Sequence, residues 1–180
     1  MTDIHSELIY LQAFRDAVDE AGIVAINDTK GRILDVNDNF CQISGYTREE
    51  LIGSDHRILR SDQHSNEFFR EMYRTIRRGK TWRGEICNKA KNGRLYWVNT
   101  TIVPMFNDQG KIDGYLALRI DISEQKRLMQ RLQHLAHHDP LTGLPNRVSI
   151  LESIQKVIDR KSGKHYALLF MDFDRFKLIN

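Results

Sequence analysis

Trp82-Arg83-Gly84-Glu85-Ile86-Cys87-Asn88-Lys89-Ala90-Lys91-Asn92-Gly93-Arg94-Leu95-Tyr96-Trp97-Val98-Asn99-Thr100-Thr101-Ile102-Val103 is the stretch that decides the fold. Residues 82–88 and 95–103 are rich in aromatic and β-branched side chains and meet at Lys91-Asn92-Gly93. Asn-Gly between two such runs is a strong short-range hairpin signal, because both residues tolerate the positive φ of a tight turn. Downstream, Asn107-Asp108-Gln109-Gly110 makes a second turn and residues 115–122 a further strand. Upstream, residues 23–26 and 32–36 are two short strands around the loop Asn27-Asp28-Thr29-Lys30-Gly31.

Short helical pieces fill the middle. Residues 37–44 end at Gly45, and residues 47–52 end at Gly53, opening with the capping-box pattern Thr47-Arg48-Glu49-Glu50. A longer helix over residues 65–78 turns Phe68, Phe69, Met72, Tyr73 and Ile76 to one face. Two strands, several small helices and three strands predict an α+β domain: a five-stranded antiparallel sheet with helices on one face. Before it, residues 8–21 place Leu8, Leu11, Phe14, Val18 and Ala21 at helical spacing, an amphipathic helix in need of a partner surface.

After residue 122 the pattern changes. Residues 124–137 lack glycine and proline and carry Leu128, Leu132 and Leu135 at a four-then-three spacing, the stripe of a coiled coil. Asp139-Pro140-Leu141-Thr142-Gly143-Leu144-Pro145-Asn146-Arg147 then punctuates the chain, with Asp139 and Arg147 expected to pair. A helix over residues 148–159 and an apolar strand over residues 166–171 follow. The predicted organisation is an N-terminal amphipathic helix (1–21), an α+β domain (22–122), a coiled-coil helix (123–137) and the start of an α/β domain (138–180).

Composition excludes several classes. The net charge of +3 is spread along the 180 residues, and no aromatic side chains interleave with the basic ones, so a nucleic-acid surface is not expected. The two cysteines, Cys41 and Cys87, have no zinc or redox spacing. The first residues lack a signal-peptide pattern, and no apolar run approaches the length of a membrane span. A soluble cytoplasmic protein is expected.

The motifs also carry a resemblance. Asn37-Asp38-Asn39-Phe40, Ser44-Gly45-Tyr46, Glu49-Glu50-Leu51-Ile52-Gly53, Trp82-Arg83-Gly84-Glu85, Tyr96-Trp97-Val98 and the exit Arg119-Ile120-Asp121-Ile122-Ser123 resemble PAS sensor domains. Residues 134–180 resemble the first part of GGDEF diguanylate cyclase domains, through Asp139 to Arg147 and Met171-Asp172-Phe173-Asp174-Arg175-Phe176-Lys177-Leu178-Ile179-Asn180. The Gly-Gly-Asp-Glu-Phe hairpin that names the latter family is not in these 180 residues, so the chain as given is expected to be inactive.

The resemblance implies a sensory input that regulates cyclic di-GMP synthesis from GTP in a bacterial signalling protein. The alternative is a ligand-binding or dimerisation module beside a degenerate cyclase, attached to a phosphodiesterase. A homodimer through the N-terminal and linker helices is implied. For the cyclase part, the resemblance makes Asp172 and the Phe173 carbonyl Mg²⁺ ligands. It gives the phosphates of GTP to Arg175 and Phe176, and its guanine to Asn180. Mg²⁺ wants hard oxygen ligands, and a carboxylate at a strand end is where α/β folds place them.

For the sensor pocket, Asn37, Arg60, Trp82 and Asn88 resemble in placement the flavin-binding PAS domains of aerotaxis and nitrogen-fixation sensors, which implies FAD. An indole and amides suit a planar ring with imide edges. His56 and His64 sit where haem PAS domains place an axial ligand, so haem is the alternative, and an empty pocket the third. Residues 56–62 contain no cysteine, which excludes a flavin photoadduct.

Overall fold

In this computed structural model, residues 4–160, 166–169 and 171 are described. The chain divides into two units, Met1–Met129 and Gln130–Asn180. The first contains α1 (Ile4–Ala21), β1 (Ile23–Asp28), β2 (Ile33–Val36), α2 (Asp38–Ser44), α3 (Arg48–Leu51), a 3₁₀ turn (His56–Leu59), α4 (Asn66–Arg77), β3 (Trp82–Lys89), β4 (Leu95–Phe106) and β5 (Ile112–Asp121). Helix α5 (Ser123–His137) follows, and α6 (Arg147–Asp159) lies in the second unit.

The expected hairpin forms. Strands β3 and β4 pair antiparallel from Trp82 opposite Ile102 to Lys89 opposite Leu95. Gly93 turns the chain at a φ of 85°, a conformation that glycine adopts without steric cost. The sheet order is β2-β1-β5-β4-β3, so the N-terminal hairpin docks on the last strand to be made. That closure needs an unusually close approach: a Cβ on Gly114 would stand 2.6 Å from the carbonyl oxygen of Asn27 on β1.

Side chains alternate between sheet faces, and the register fixes which share the inner one. Thr100 opposes Arg119, Ile102 opposes Ala117, and Ala117 opposes Ala25. Ile86, Val98, Ile102, Ala117 and Ala25 are buried beneath Phe40, Leu51, Leu59, Met72 and Ile76 from the helical side. The helices begin where their caps dictate. Asn37 Oδ1 accepts from Phe40 N, Ser65 Oγ accepts from Phe68 N, and the Thr47–Glu50 capping box is complete. The 3₁₀ turn is new relative to the sequence. Asp55 caps it by accepting from Arg57 N at 2.8 Å, but four residues are too few to show a period.

Helix α1 starts at Ile4, earlier than expected, and Leu8, Leu11 and Phe14 stay exposed. The first turn of α5 is bound to the sheet. Ile122 N donates to Trp97 O (2.9 Å), Trp97 N donates to Ser123 Oγ (2.9 Å), and Asp121 Oδ1 accepts from Ser123 N (2.8 Å). Leu128, Leu132 and Leu135 on α5 are exposed.

In the second unit two expectations are corrected. Asp139 does not pair with Arg147; its Oδ1 accepts from Thr142 N (2.8 Å), Thr142 Oγ1 (2.8 Å) and Leu141 N (3.2 Å). A carboxylate two residues ahead of a turn is satisfied locally at less entropic cost than by a distant guanidinium. Residues 166–169 and 171 are exposed and form no strand. A ladder needs a neighbour, and the described residues of this unit contain no strand.

Candidate functional site

Between α4, the 3₁₀ turn and the sheet lies a small cavity of about 70 Å³, and its polar lining comprises His56, Arg57, Arg60, Tyr73, Asn88 and Arg119. Phe69, Met72, Ile86 and Ile102 complete it. Each wall follows from a local rule. Asn88 comes inward because it alternates with Ile86 on β3, and Arg119 because it alternates with Ala117 on β5. His56 is turned in by the Asp55 cap.

Arg119 is 4% exposed, and its guanidinium lies over the Phe40 ring, 5.5 Å from the centroid. Its Nη2 is 2.8 Å from His56 Nε2. An arginine can only donate, so this contact requires a neutral imidazole accepting at Nε2 and protonated at Nδ1. Nδ1 is 3.5 Å from Asn27 Nδ2, and its proton is accepted there when the amide is turned to present Oδ1. Burial holds the His56 pKa down to about 3, and the Arg119 charge adds to that. Burial also lowers the Arg119 pKa to about 10. No carboxylate forms an ion pair with Arg119 among the described residues, and its Nη1 has no hydrogen-bond partner. Across the β4–β5 ladder, Thr100 Oγ1 is buried and equally without a partner.

Of the residues expected to hold a flavin, Arg60 and Asn88 line the cavity, and Asn37 and Trp82 are not among its walls. Asn37 is fully engaged by backbone: its Oδ1 accepts from Val24 N and Phe40 N, and its Nδ2 donates to Asp19 O and Gly22 O. The Trp82 ring lies along its own strand over Gly84 and meets Phe68 edge to face at 5.6 Å. Arg60 donates to Asn66 Oδ1 and sits over the Phe69 ring.

His56 and His64 are not brought together. His64 Nε2 accepts from Cys87 N at 2.8 Å, and the ring stacks on Phe68. With that nitrogen engaged, and His56 Nε2 facing a cation, neither imidazole suits an iron, and the described residues do not fit haem. For flavin the donors fit but the space does not. Pockets for ligands of that size run to about 300–1,000 Å³, far above the 70 Å³ here. Asp172, Phe173, Arg175, Phe176 and Asn180 lie outside the described residues. No group of His, Cys, Asp and Glu able to hold a metal occurs among the described residues, and no described helix is long and apolar enough to cross a membrane.

Comparison with known proteins places two family models on the chain. The PAS domain model matches residues 20–124, and the diguanylate cyclase GGDEF domain model matches residues 136–180. The chain is similar to the nitrogen fixation regulatory protein of Klebsiella pneumoniae, 32% identical over 148 residues, which are 81% of this chain and 30% of that protein. It is also similar to a protein of Escherichia coli named as a probable diguanylate cyclase, 27% identical over 171 residues, 92% of this chain and 15% of that one. The chain thus spans less than a third of the length of these relatives. Among solved structures, a PAS domain from Colwellia psychrerythraea aligns with a TM-score of 0.56 at 25% identity, covering 64% of this chain and 98% of that one.

Proposed function

From the premise that the chain belongs to the PAS domain family and continues into the start of a diguanylate cyclase GGDEF domain, we propose that it is the sensory input of a cytoplasmic cyclic di-GMP signalling protein. The observation that carries this reading is the root of α5. The helix that leads from the PAS match toward the GGDEF match is hydrogen-bonded to Trp97 on β4, the strand that also contributes Ile102 to the cavity wall. A change of packing in the cavity has a direct route to α5 along that strand.

Homodimerisation through α1 and the Leu128, Leu132, Leu135 face belongs to the same proposal. All three leucines are at least half exposed. A helix of this length gains most of its stability from burying an apolar face. The reaction would join two GTP molecules with Mg²⁺, and Asp172 and the Phe173 carbonyl would hold the metal, as the family resemblance implies. Arg175, Phe176 and Asn180 would hold the nucleotide on the same grounds.

FAD as the occupant of the cavity is a second reading, favoured by the buried Asn88 amide and the free Nη1 of Arg119. It requires α4 and the 3₁₀ turn to stand further from the sheet. A yellow colour in the purified protein, released on denaturation, would support it.

The test of the main reading uses this protein with a complete GGDEF hairpin. Purified with GTP and Mg²⁺ it should form cyclic di-GMP, and Ser123→Ala should change that rate while leaving the KM for GTP in place. Absence of product, or a rate indifferent to Ser123, overturns the proposal.

A further inference from the structure

Arg119 is the least compensated charge in the described fold. Arg57 is paired with Asp55 at 2.7 Å, and Arg60 donates to Asn66. Arg119, deeper than both, has one contact to a neutral imidazole and a bare Nη1. A buried guanidinium without an anion is costly, because desolvation is not offset by pairing. Native structures seldom leave such groups without a hydrogen-bond partner. Thr100 Oγ1, opposite Arg119 in the ladder, is a second buried polar atom without a partner, outside the cavity's lining.

We infer that the cavity binds a small carboxylate, taken up by the Arg119 guanidinium, with a short hydrocarbon tail against Ile86 and Ile102. A planar guanidinium fork matches a carboxylate in two hydrogen bonds. One water-sized atom needs about 10–15 Å³ of such space, so 70 Å³ holds a ligand of about five or six heavy atoms. Inorganic phosphate meets that size, but a wholly polar ion would leave Phe69, Met72, Ile86 and Ile102 without an apolar partner. A three- or four-carbon monocarboxylate satisfies both ends. The other charged groups lining the site are Arg57, paired with Asp55, and Arg60, hydrogen-bonded to Asn66. No carboxylate lines the cavity, so the ligand supplies the anion that Arg119 lacks there.

This inference rests on the sensory reading above, and a binding assay separates the two, because it needs no cyclase activity. The 180-residue chain is titrated at constant ionic strength with sodium propionate, pyruvate, n-butyrate and phosphate, and followed by thermal unfolding and calorimetry. The expected result is a saturable rise in Tm with at least one carboxylate and none with phosphate. Arg119→Met should abolish that rise while raising the Tm of the ligand-free protein, since an apolar isostere removes an unpaired buried charge. Ile102→Phe, which fills the cavity and leaves Arg119 in place, should also abolish the rise. No shift with any carboxylate overturns the inference. So does an equal shift with phosphate, a protein that purifies yellow with bound flavin, or an Arg119→Met protein that loses stability.

Discussion

Lowering the pH from 7 to 5 should expose the buried imidazole of His56 as a single-residue acid sensitivity. Its folded pKa is near 3, against 6.5 in the unfolded chain. A depressed folded value means that the unfolded state takes up a proton first. Stability is therefore complete above pH 6.5, falls as the pH drops through it, and levels off only near pH 3. With 1.36 kcal/mol per pKa unit as the limiting slope, the loss between pH 7 and pH 5 is about 2 kcal/mol. That is a large fraction of a domain's roughly 5–15 kcal/mol.

His64 is depressed in the same direction by burial, and Asp55 and Glu50 are lowered by the side-chain hydrogen bonds of Arg57 and Lys91. All of them add acid sensitivity of their own, so the measurement is a difference between two chains. Urea unfolding, read by the fluorescence of Trp82 and Trp97, is compared at both pH values for the native protein and His56→Gln. Glutamine keeps a hydrogen-bond acceptor toward Arg119 but does not titrate. The native protein should lose about 2 kcal/mol more than the variant over this range. A parallel loss in the two chains would refute the assignment of His56 as neutral and buried.

Three further outcomes follow from the packing. Gly114→Ala drives a methyl group to 2.6 Å from the Asn27 carbonyl and should cost about 1–3 kcal/mol as overpacking, seen as a lower urea midpoint. Ser123→Ala leaves the Trp97 amide without its acceptor, a loss of about 1–3 kcal/mol, with faster hydrogen exchange in the first turn of α5. Leu132→Asp should shift the dimer to monomer in light scattering, and a native protein that is monomeric at high micromolar concentration would dispose of the helical seam.

The sheet and its helices were legible because their signals are local. Asn92-Gly93, the Thr47–Glu50 box and the caps Asn37 and Ser65 each determine a few residues, and the structure realises them. The cavity was less legible. Asn37 is an amide of the right kind near the right motif, but its four hydrogen bonds go to backbone. Nothing in its neighbours along the chain distinguishes a cap from a ligand contact. Arg119 stands in the sequence as one residue of the exit motif Arg119-Ile120-Asp121-Ile122-Ser123. The signal was available: Tyr115, Ala117 and Arg119 fall on one face of a strand, and an arginine in an apolar row needs an explanation. What no local pattern conveys is that Arg119 meets His56, 63 residues away along the chain, since that depends on the tertiary path of the 3₁₀ turn. Asp139 is the opposite case: its near neighbours Leu141 and Thr142 capture it locally before Arg147 can.

The root of α5 has a mechanical consequence. Ser123 and Ile122 are keyed to Trp97, and Lys126 bonds Glu85 on β3 at 2.5 Å while lying 5.1 Å from the Trp97 ring centroid. The helix therefore has no swivel where it leaves the sheet. It is a crank fixed to an axle, and its 15 residues make an arm about 22 Å long. A twist of β4 by about 5° swings the free end of such an arm by about 2 Å. Flexible linkers absorb movements of that size; a keyed crank delivers them undiminished.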